Sequence, residues 1–159
     1  MGAEEFQLVV FTLKADNSLC EYGTPITQVK EIIRFTTPTR LPKAPAFLEG
    51  VINLRGKVIS VIDLKKRFDM EINEYTDEAR IIVVEIDGQT VGIIVDEVTE
   101  VLRLGLNDVE PPPSIMGGIT AKYLQGVGKL GERLLVLLDL NKILSESETQ
   151  ALQNIEIKN

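Results

Sequence analysis

Three glycines near the end of the chain have the spacing of a dinucleotide-binding loop. Gly126, Gly128 and Gly131 match the pattern G-x-G-x-x-G, which holds a pyrophosphate when it follows a strand and opens a helix. Here the glycines lead into Leu134 to Leu138, an apolar block typical of a strand. We therefore interpret them as residues of a hairpin and predict no nucleotide site.

A second candidate site for chemistry is the acidic cluster Asp96, Glu97 and Glu100. The cluster lacks the alternating oxygen ligands and the central glycine of a calcium loop, so we interpret its members as solvated carboxylates. Cys20 is the only cysteine, and the chain contains no histidine. A thiolate zinc site is therefore excluded, and the commonest general base is missing. We expect no catalytic residue, no metal and no cofactor.

The composition narrows the classes of partner. The net charge of −7, from 24 acidic and 17 basic residues, argues against a nucleic-acid surface, which needs clustered positive charge. No apolar run approaches the roughly 20 residues of a membrane span, and the acidic start MGAEEF does not resemble a signal peptide. We expect a cytoplasmic protein without direct membrane insertion.

The predicted strands and turns are organised around the stretch from Gly50 to Leu64, which also contains the next candidate residue, Arg55. The sequence of this stretch, GVINLRGKVISVIDL, predicts a strand, a tight turn and a second strand. Arg55 lies at this turn among aliphatic residues, where its guanidinium is either simply solvated or takes part in recognition. A brief helix is expected from Leu64 to Met70.

The order of elements occurs twice. FQLVVFTL, beginning at Phe6, opens the first half with a hairpin, and ARIIVVEI, followed by the turn Asp87-Gly88, opens the second. The matched residues are Val29, Glu31 and Ile32 with Val98, Glu100 and Val101, and Gly50, Val51, Leu54, Asp63 and Leu64 with Gly126, Val127, Leu130, Asp139 and Leu140. Repeated short strands and turns predict two small β-barrels packed together, approximately 1–74 and 75–159, the second with a closing C-terminal helix.

Two rows of aliphatic residues are expected near the pseudo-twofold contact. They are Ile26, Val29 and Ile32 in the first half and Val95, Val98 and Val101 in the second. Any members left exposed would line an apolar groove between the barrels. Glu31 and Arg55 are charged residues among aliphatic ones. They either specify a partner, or they form an internal ion pair or are simply solvated, and the sequence leaves these alternatives open.

Four segments together resemble the CheW-type chemotaxis coupling proteins over nearly the whole chain. They are YGTPITQVKEI, LPKAPAFLEGVINLRGKVISVIDL, IIVVEIDGQTVGIIVDEVTEVL and LLVLLDLNKIL. The resemblance implies an all-β fold of two five-stranded SH3-like barrels and a non-enzymatic adaptor. It implies two partners, the regulatory domain of the histidine kinase CheA and the cytoplasmic helical tip of methyl-accepting chemoreceptors, at membrane-associated receptor arrays.

The resemblance also implies roles for individual residues. Expected receptor contacts are Ile26, Val29, Glu31, Ile32, Arg55, Val95, Val98, Val101 and Leu102; expected kinase contacts are Pro42, Phe47, Gly50 and Gly56. The competing classes of function are a double barrel that binds a small ligand and a hydrolase that depends on carboxylates. Neither of them accounts for an arginine at an apolar turn.

Overall fold

The computed structural model describes residues 5–15, 18–44, 46, 48–68, 70, 74–111 and 124–143. Most of these residues are in β-strands, which confirms the predicted all-β fold. The strands are β1 Glu5–Ala15, β2 Ser18–Pro25, β3 Val29–Arg34, β4 Leu48–Leu54, β5 Lys57–Asp63, β6 Arg80–Ile86, β7 Gln89–Val95, β8 Glu97–Gly105, β9 Val109–Glu110, β10 Leu124–Leu130 and β11 Arg133–Leu138. The helical segments are α1 Leu64–Arg67 and the 3-10 turns Ile26–Gln28, Leu106–Asp108 and Leu140–Lys142.

Tight turns connect the predicted hairpins. Arg55 and Gly56 join β4 to β5 with φ angles of 53° and 85°, and Asp87 and Gly88 join β6 to β7 with φ angles of 49° and 81°. Positive φ at both turn residues is the feature of the two-residue loops that match strand twist. Gly131 lies in the turn between β10 and β11, so the glycine-rich segment is a hairpin, as predicted.

Five strands form a barrel from one continuous part of the chain, here called the central barrel. Its sheet order is β3-β6-β7-β5-β4. The edges β3 and β4 are joined through Thr39, five residues beyond β3, whose backbone exchanges hydrogen bonds of 2.8 and 2.9 Å with Val51. The bridge closes the sheet.

The two ends of the chain form the second barrel, here called the terminal barrel. Its sheet order is β8-β1-β2-β11-β10-β9. The edge strands β8 and β9 are consecutive in the chain and are separated only by the 3-10 turn Leu106–Asp108. Together they act as one bent strand that closes the ring, so both barrels correspond to the predicted five-stranded type.

The predicted boundary between residues 74 and 75 does not separate the barrels. The opening hairpin of the first half, β1–β2, pairs with β8 and β11 of the second half, while β6–β7 pairs with β3 and β5 of the first. The two halves of the repeat have therefore exchanged their opening hairpins. This pairing is non-local, and local hydrophobic periodicity does not encode it.

Three hydrophobic cores explain why the opening strands are apolar along their whole length. In β1, Leu8 and Val10 lie in the terminal barrel, while Val9 and Phe11 point to a core shared by the two barrels. Strand β6 alternates in the same way between the central-barrel core and the shared core. Both faces of each strand are buried, so the sequence is a continuous apolar run instead of an alternating one.

Two residues of the repeat have equivalent structural roles. Gly50 and Gly126 lie against the closing strands: a Cβ on Gly50 would be 2.5 Å from the carbonyl oxygen of Thr39, and one on Gly126 would be 2.9 Å from that of Glu110. Only glycine allows this close approach of two backbones. The closing helix predicted at the C-terminus falls mostly outside the described residues, which end at 143 and show only a 3-10 turn at Leu140–Lys142.

Candidate functional site

A strip of aliphatic side chains follows β3 and β8 on the sides where the barrels meet. Directly opposed residues of antiparallel strands point to the same face. Val29 and Ile32 of β3 oppose Val84 and Ile82, and both of these partners lie in the shared core. Ile32 itself is 39% exposed, so the row continues from the core onto the surface.

Strand β8 contributes the equivalent row. Val98 and Val101 oppose Phe11 and Val9, which also lie in the shared core. Val101 is 54% exposed, and Ile26, which precedes β3, packs at the margin of the same core. We call these five residues the inter-barrel strip: Ile26, Val29, Ile32, Val98 and Val101.

Two residues of the predicted receptor set lie elsewhere. Val95 is completely buried in the shared core. Leu102 opposes Leu8 and packs into the core of the terminal barrel, so it faces away from the strip. The repeated pattern of aliphatic residues does not show which of them are exposed and which are buried, because aliphatic residues occur in both kinds of position.

Glu31 and Arg55 form an ion pair at the mouth of the central barrel. Arg55 Nη1 donates to Glu31 Oε2 at 2.5 Å, with 75% of the arginine side chain and 24% of the glutamate side chain exposed. Glu31 opposes Val83 of the central-barrel core, so it points to the opposite face of β3 from Ile32. The pair borders a cavity of about 220 Å³ with Lys30, Leu54, Lys57, Ile59, Val83 and Thr90.

The predicted kinase contacts are dispersed. Gly56 lies in the exposed β4–β5 turn and lines a depression of about 430 Å³ together with Val58 and Gly88. Pro42 is exposed in the connector before β4, whereas Gly50 is buried against Thr39. Phe47 lies outside the described residues.

Among the described residues, three exposed aliphatic side chains were not predicted: Leu106, which is 44% exposed, and two that occupy equivalent places in the barrels. Val58 on β5 is 42% exposed, and Leu134 on β11 is 60% exposed. The register that aligns Gly50 with Gly126 also aligns Val58 with Leu134, so each barrel presents an aliphatic side chain beside an equivalent hairpin turn. Extending the repeat alignment through these positions would have matched the two residues but would not have shown that they are exposed, because aliphatic residues occur in core and surface positions alike.

Arg133 organises a charged cluster on the terminal barrel. Its Nη2 donates to Glu21 Oε2 and to Glu100 Oε2, both at 2.8 Å, and its Nε donates to Glu21 Oε1 at 3.2 Å. These hydrogen bonds to the two carboxylates raise the pKa of the guanidinium above its ordinary value. Glu100, the repeat partner of Glu31, therefore also pairs with an arginine from the following hairpin.

A buried polar network lies at the junction of the barrels. Lys65 and Asp96, both buried, form an ion pair of 3.0 Å, which corrects the prediction that Asp96 is a solvated carboxylate. Asp63 accepts hydrogen bonds from the Lys65 amide and the Tyr75 hydroxyl. Burial raises the pKa of Asp63, and burial together with the bond to Asp63 raises that of Tyr75. The charged residues next to Lys65 and Asp96 in the chain gave no sign of the pairing.

Two classes of site are missing from the part of the chain that the structure describes. Among those residues no group of three or more cysteine, aspartate or glutamate side chains is placed to hold a metal ion. Within the same ranges, no helix is long and apolar enough to cross a membrane. The strip, the hairpin ends and the Glu31–Arg55 pair are surface features suited to protein contacts, since they combine exposed apolar area with charges at the edge.

Comparisons with known proteins agree with this architecture. Residues 7–148 match the model of the CheW-like domain. The chain is 36% identical over 149 residues to the chemotaxis protein CheW of Klebsiella aerogenes, covering 94% of this chain and 87% of that protein. It is 36% identical over 156 residues to CheW of Treponema pallidum, covering 96% of this chain and 89% of that protein.

A solved structure is similar over the same extent. The scaffolding protein TtCheW from Thermoanaerobacter tengcongensis superimposes with a TM-score of 0.77 at 39% identity, covering 88% of this chain and 92% of that chain. The sequence similarity and the structural similarity to CheW proteins therefore both extend over most of the chain. The chain belongs to the CheW-like family of chemotaxis coupling proteins.

Proposed function

We propose that the chain is a non-enzymatic adaptor that couples methyl-accepting chemoreceptors to the histidine kinase CheA. The observation that carries the proposal is the exposure of aliphatic side chains at equivalent places in both barrels. Ile32 and Val101 are one such pair, and Val58 and Leu134 are the other. Exposed aliphatic groups at two separate places provide two contact surfaces, which an adaptor requires.

The inter-barrel strip is the receptor surface in this proposal. An amphipathic helix lying along β3 and β8 would bury Ile32 and Val101 and meet the aliphatic side chains at the margin of the shared core. Strand β3 is an edge strand in its sheet, and the Glu31–Arg55 pair lies on the face of β3 opposite to Ile32. The pair is therefore at the rim of the proposed receptor contact. A rim charge fixes the register of a helix, while the aliphatic residues supply the buried area.

The hairpin ends are the kinase surface. The regulatory domain of CheA is expected to have the same fold, so like barrels can dock end to end through equivalent hairpins. Val58 and Leu134 supply apolar contacts beside turns, and Gly56 lines the depression next to Val58. Signalling then requires no chemistry in this chain, only two contacts that bias one equilibrium of the assembly.

The experiment compares four exposed positions against two ligands. Ile32→Ser and Val101→Ser change the strip, while Val58→Ser and Leu134→Ser change the hairpin ends. The dissociation constants for a receptor signalling-tip fragment and for the CheA regulatory domain are measured separately by calorimetry. Leu106→Ser is the matched control, because Leu106 is similarly exposed, at 44%, but lies outside both surfaces.

The strip variants are expected to weaken receptor binding at least tenfold and to leave kinase binding unchanged, and the hairpin variants should do the reverse. Leu106→Ser should behave like the wild type with both ligands. If the wild type binds neither ligand, the adaptor proposal is wrong. Equal losses from all four variants would reject the assignment of two separate surfaces.

A further inference from the structure

The side chain of Lys65 is completely buried, although it carries an ammonium group. Lys65 lies in α1, directly after β5 of the central barrel. Its Nζ is 3.0 Å from Asp96 Oδ1 and 3.3 Å from the carbonyl oxygen of Lys14, and it lies 4.9 Å from the centre of the Tyr75 ring. The ammonium therefore has a carboxylate, a carbonyl and an aromatic face as partners.

These partners belong to both barrels. Asp96 lies between β7 and β8, where the chain passes from the central barrel to the terminal barrel. Its Oδ2 accepts a hydrogen bond of 2.7 Å from the amide of Lys14, and its own amide donates to the carbonyl oxygen of Thr12 at 3.2 Å. Thr12 and Lys14 are residues of β1 in the terminal barrel. The ion pair thus connects α1, the crossover and β1.

Net stability does not explain why this pair is buried here. The desolvation of two charges offsets much of their attraction, and well-packed apolar residues of similar volume often replace a buried ion pair without loss. The shared core around it already joins the barrels, but hydrophobic contact is non-directional and tolerates small rotations. Charge-assisted hydrogen bonds are directional and lose their geometry when one barrel turns against the other.

We propose that the Lys65–Asp96 pair is a positioning lock, which holds the two barrels at one relative angle and thereby sets the width of the inter-barrel strip. The strip combines residues from β3 of the central barrel with residues from β8 of the terminal barrel. A change in the angle therefore moves its two rows apart or together. The consequence for a receptor helix rests on the proposed function, but the lock itself is a property of the free protein.

The test measures the distance between the barrels in the free, full-length chain. Spin labels are attached to Gln125→Cys on β10 and Lys57→Cys on β5, both exposed positions, in a Cys20→Ser background. The distance distribution is recorded by double electron–electron resonance. The lock variant combines Lys65→Met with Asp96→Asn, which removes both charges while Asn can still accept the Lys14 hydrogen bond.

Two further variants accompany the measurement. Asp96→Asn alone keeps the packing and removes only the carboxylate charge. The matched control combines Lys66→Met with Glu49→Gln, which removes a neighbouring ion pair of 2.6 Å that is partly exposed and lies within the central barrel. All variants are compared at equal fractions of folded protein, judged from their urea unfolding curves.

The reference chain and the control are expected to give one narrow distance distribution. The lock variant should give a distribution at least twice as wide or a shifted mean, while its unfolding remains cooperative. A folded lock variant with an unchanged distribution overturns the proposal. So does failure of both Asp96 variants to fold, because the pair would then be required for folding itself and not for the arrangement of folded barrels.

Receptor binding provides the second readout. The lock variant should bind the receptor tip at least fivefold more weakly than the wild type, because the receptor helix must contact both rows of the strip at once. If the wild type does not bind the receptor tip, the proposed function is wrong. The distance measurement then decides by itself whether the Lys65–Asp96 pair holds the barrels at one relative angle. A widened distribution with unchanged receptor affinity would reject the link between the angle and the strip.

Discussion

At the scale of single residues, the Glu31–Arg55 pair has a proposed role in recognition and is expected to contribute little to stability. The arginine side chain is 75% exposed, and solvent screens its interaction with the glutamate. Exposed ion pairs of this kind contribute about 0 to 1 kcal/mol to folding. The main consequence of the pair is that the guanidinium is held in one place at the mouth of the central barrel.

Arg55→Ala should therefore separate binding from stability. The free energy of unfolding is expected to fall by less than about 1 kcal/mol, while the dissociation constant for the receptor tip rises about tenfold, as is common for a well-placed interface arginine. Urea unfolding and calorimetry measure the two quantities. A large loss of stability, with binding reduced to both partners alike, would show that Arg55 has a structural role.

Asp63 gives a prediction about pH. Burial raises the pKa of its carboxyl above the ordinary value of 3.8, against the opposing effects of the Tyr75 hydroxyl and the Lys65 amide. Since the folded state binds the proton more tightly than the unfolded state, the contribution of Asp63 to stability is fully present below about pH 3.8 and is lost as the pH rises through the raised pKa.

The Asp63→Asn variant isolates this contribution from the other carboxylates. The unfolding free energy of the wild type minus that of the variant should be largest at the lowest pH at which both proteins fold. It should decrease as the pH rises and become constant near neutrality. Urea titrations at several pH values between about 4 and 7 measure the difference. An increase in the difference with pH would contradict the raised pKa.

At the scale of elements, the closing bridge of the central barrel depends on a glycine. A methyl group on Gly50 would lie 2.5 Å from the carbonyl oxygen of Thr39 and 2.9 Å from Cβ of Pro38, so the backbone would have to move and the bridge between Thr39 and Val51 would be strained. Gly50→Ala should cost about 2 to 3 kcal/mol of unfolding free energy, as overpacked sites do.

Gly56→Ala is the matched comparison for Gly50→Ala. No atom lies within 4 Å of a Cβ at Gly56, so its cost comes only from the φ angle of 85° and should be about 1 kcal/mol. Both variants are measured by urea unfolding under the same conditions. If Gly56→Ala cost as much as Gly50→Ala, close packing would not be the reason for glycine at position 50.

Sequence patterns predicted the hairpins because the signals for hairpins are local. The turn Asp87-Gly88 and the aliphatic runs on either side of it lie within one short segment of chain, and the strands β6 and β7 form there. The sequence also predicted Ile32 and Val101 as members of the strip, since both belong to the repeated rows. It did not predict that Val95 is buried, because an aliphatic residue is compatible with core and surface alike.

Non-local pairings could not be predicted in the same way. Lys65 and Asp96 are separated by 31 positions, and a single lysine in a basic segment has the pattern of a solvated side chain. The exchange of opening hairpins depends on which sheet edges meet in space, and the repeat is equally compatible with barrels that keep their own hairpins. Neither feature could be predicted, and for the same reason: contacts between the two halves of the chain leave no periodic pattern in the local sequence.

At the scale of the whole molecule, the exchange makes each half of the chain incomplete. Fragment 1–74 contains β3, β4 and β5 without the β6–β7 hairpin that completes their barrel, and fragment 75–159 lacks β1 and β2. Each fragment alone would also leave one side of the shared core open to water. Small sheets without a covered hydrophobic face are marginally stable at best.

Neither fragment is therefore expected to fold alone, whereas an equimolar mixture should recover the native fold. Circular dichroism reports the β content, and the dispersion of amide resonances reports the fixed packing, with the intact chain at the same concentration as the reference. The recovered signal should depend on fragment concentration, because the two pieces associate as separate molecules. Barrels that kept their own hairpins would instead let each fragment fold by itself with no dependence on the other, and that result would contradict the strand exchange.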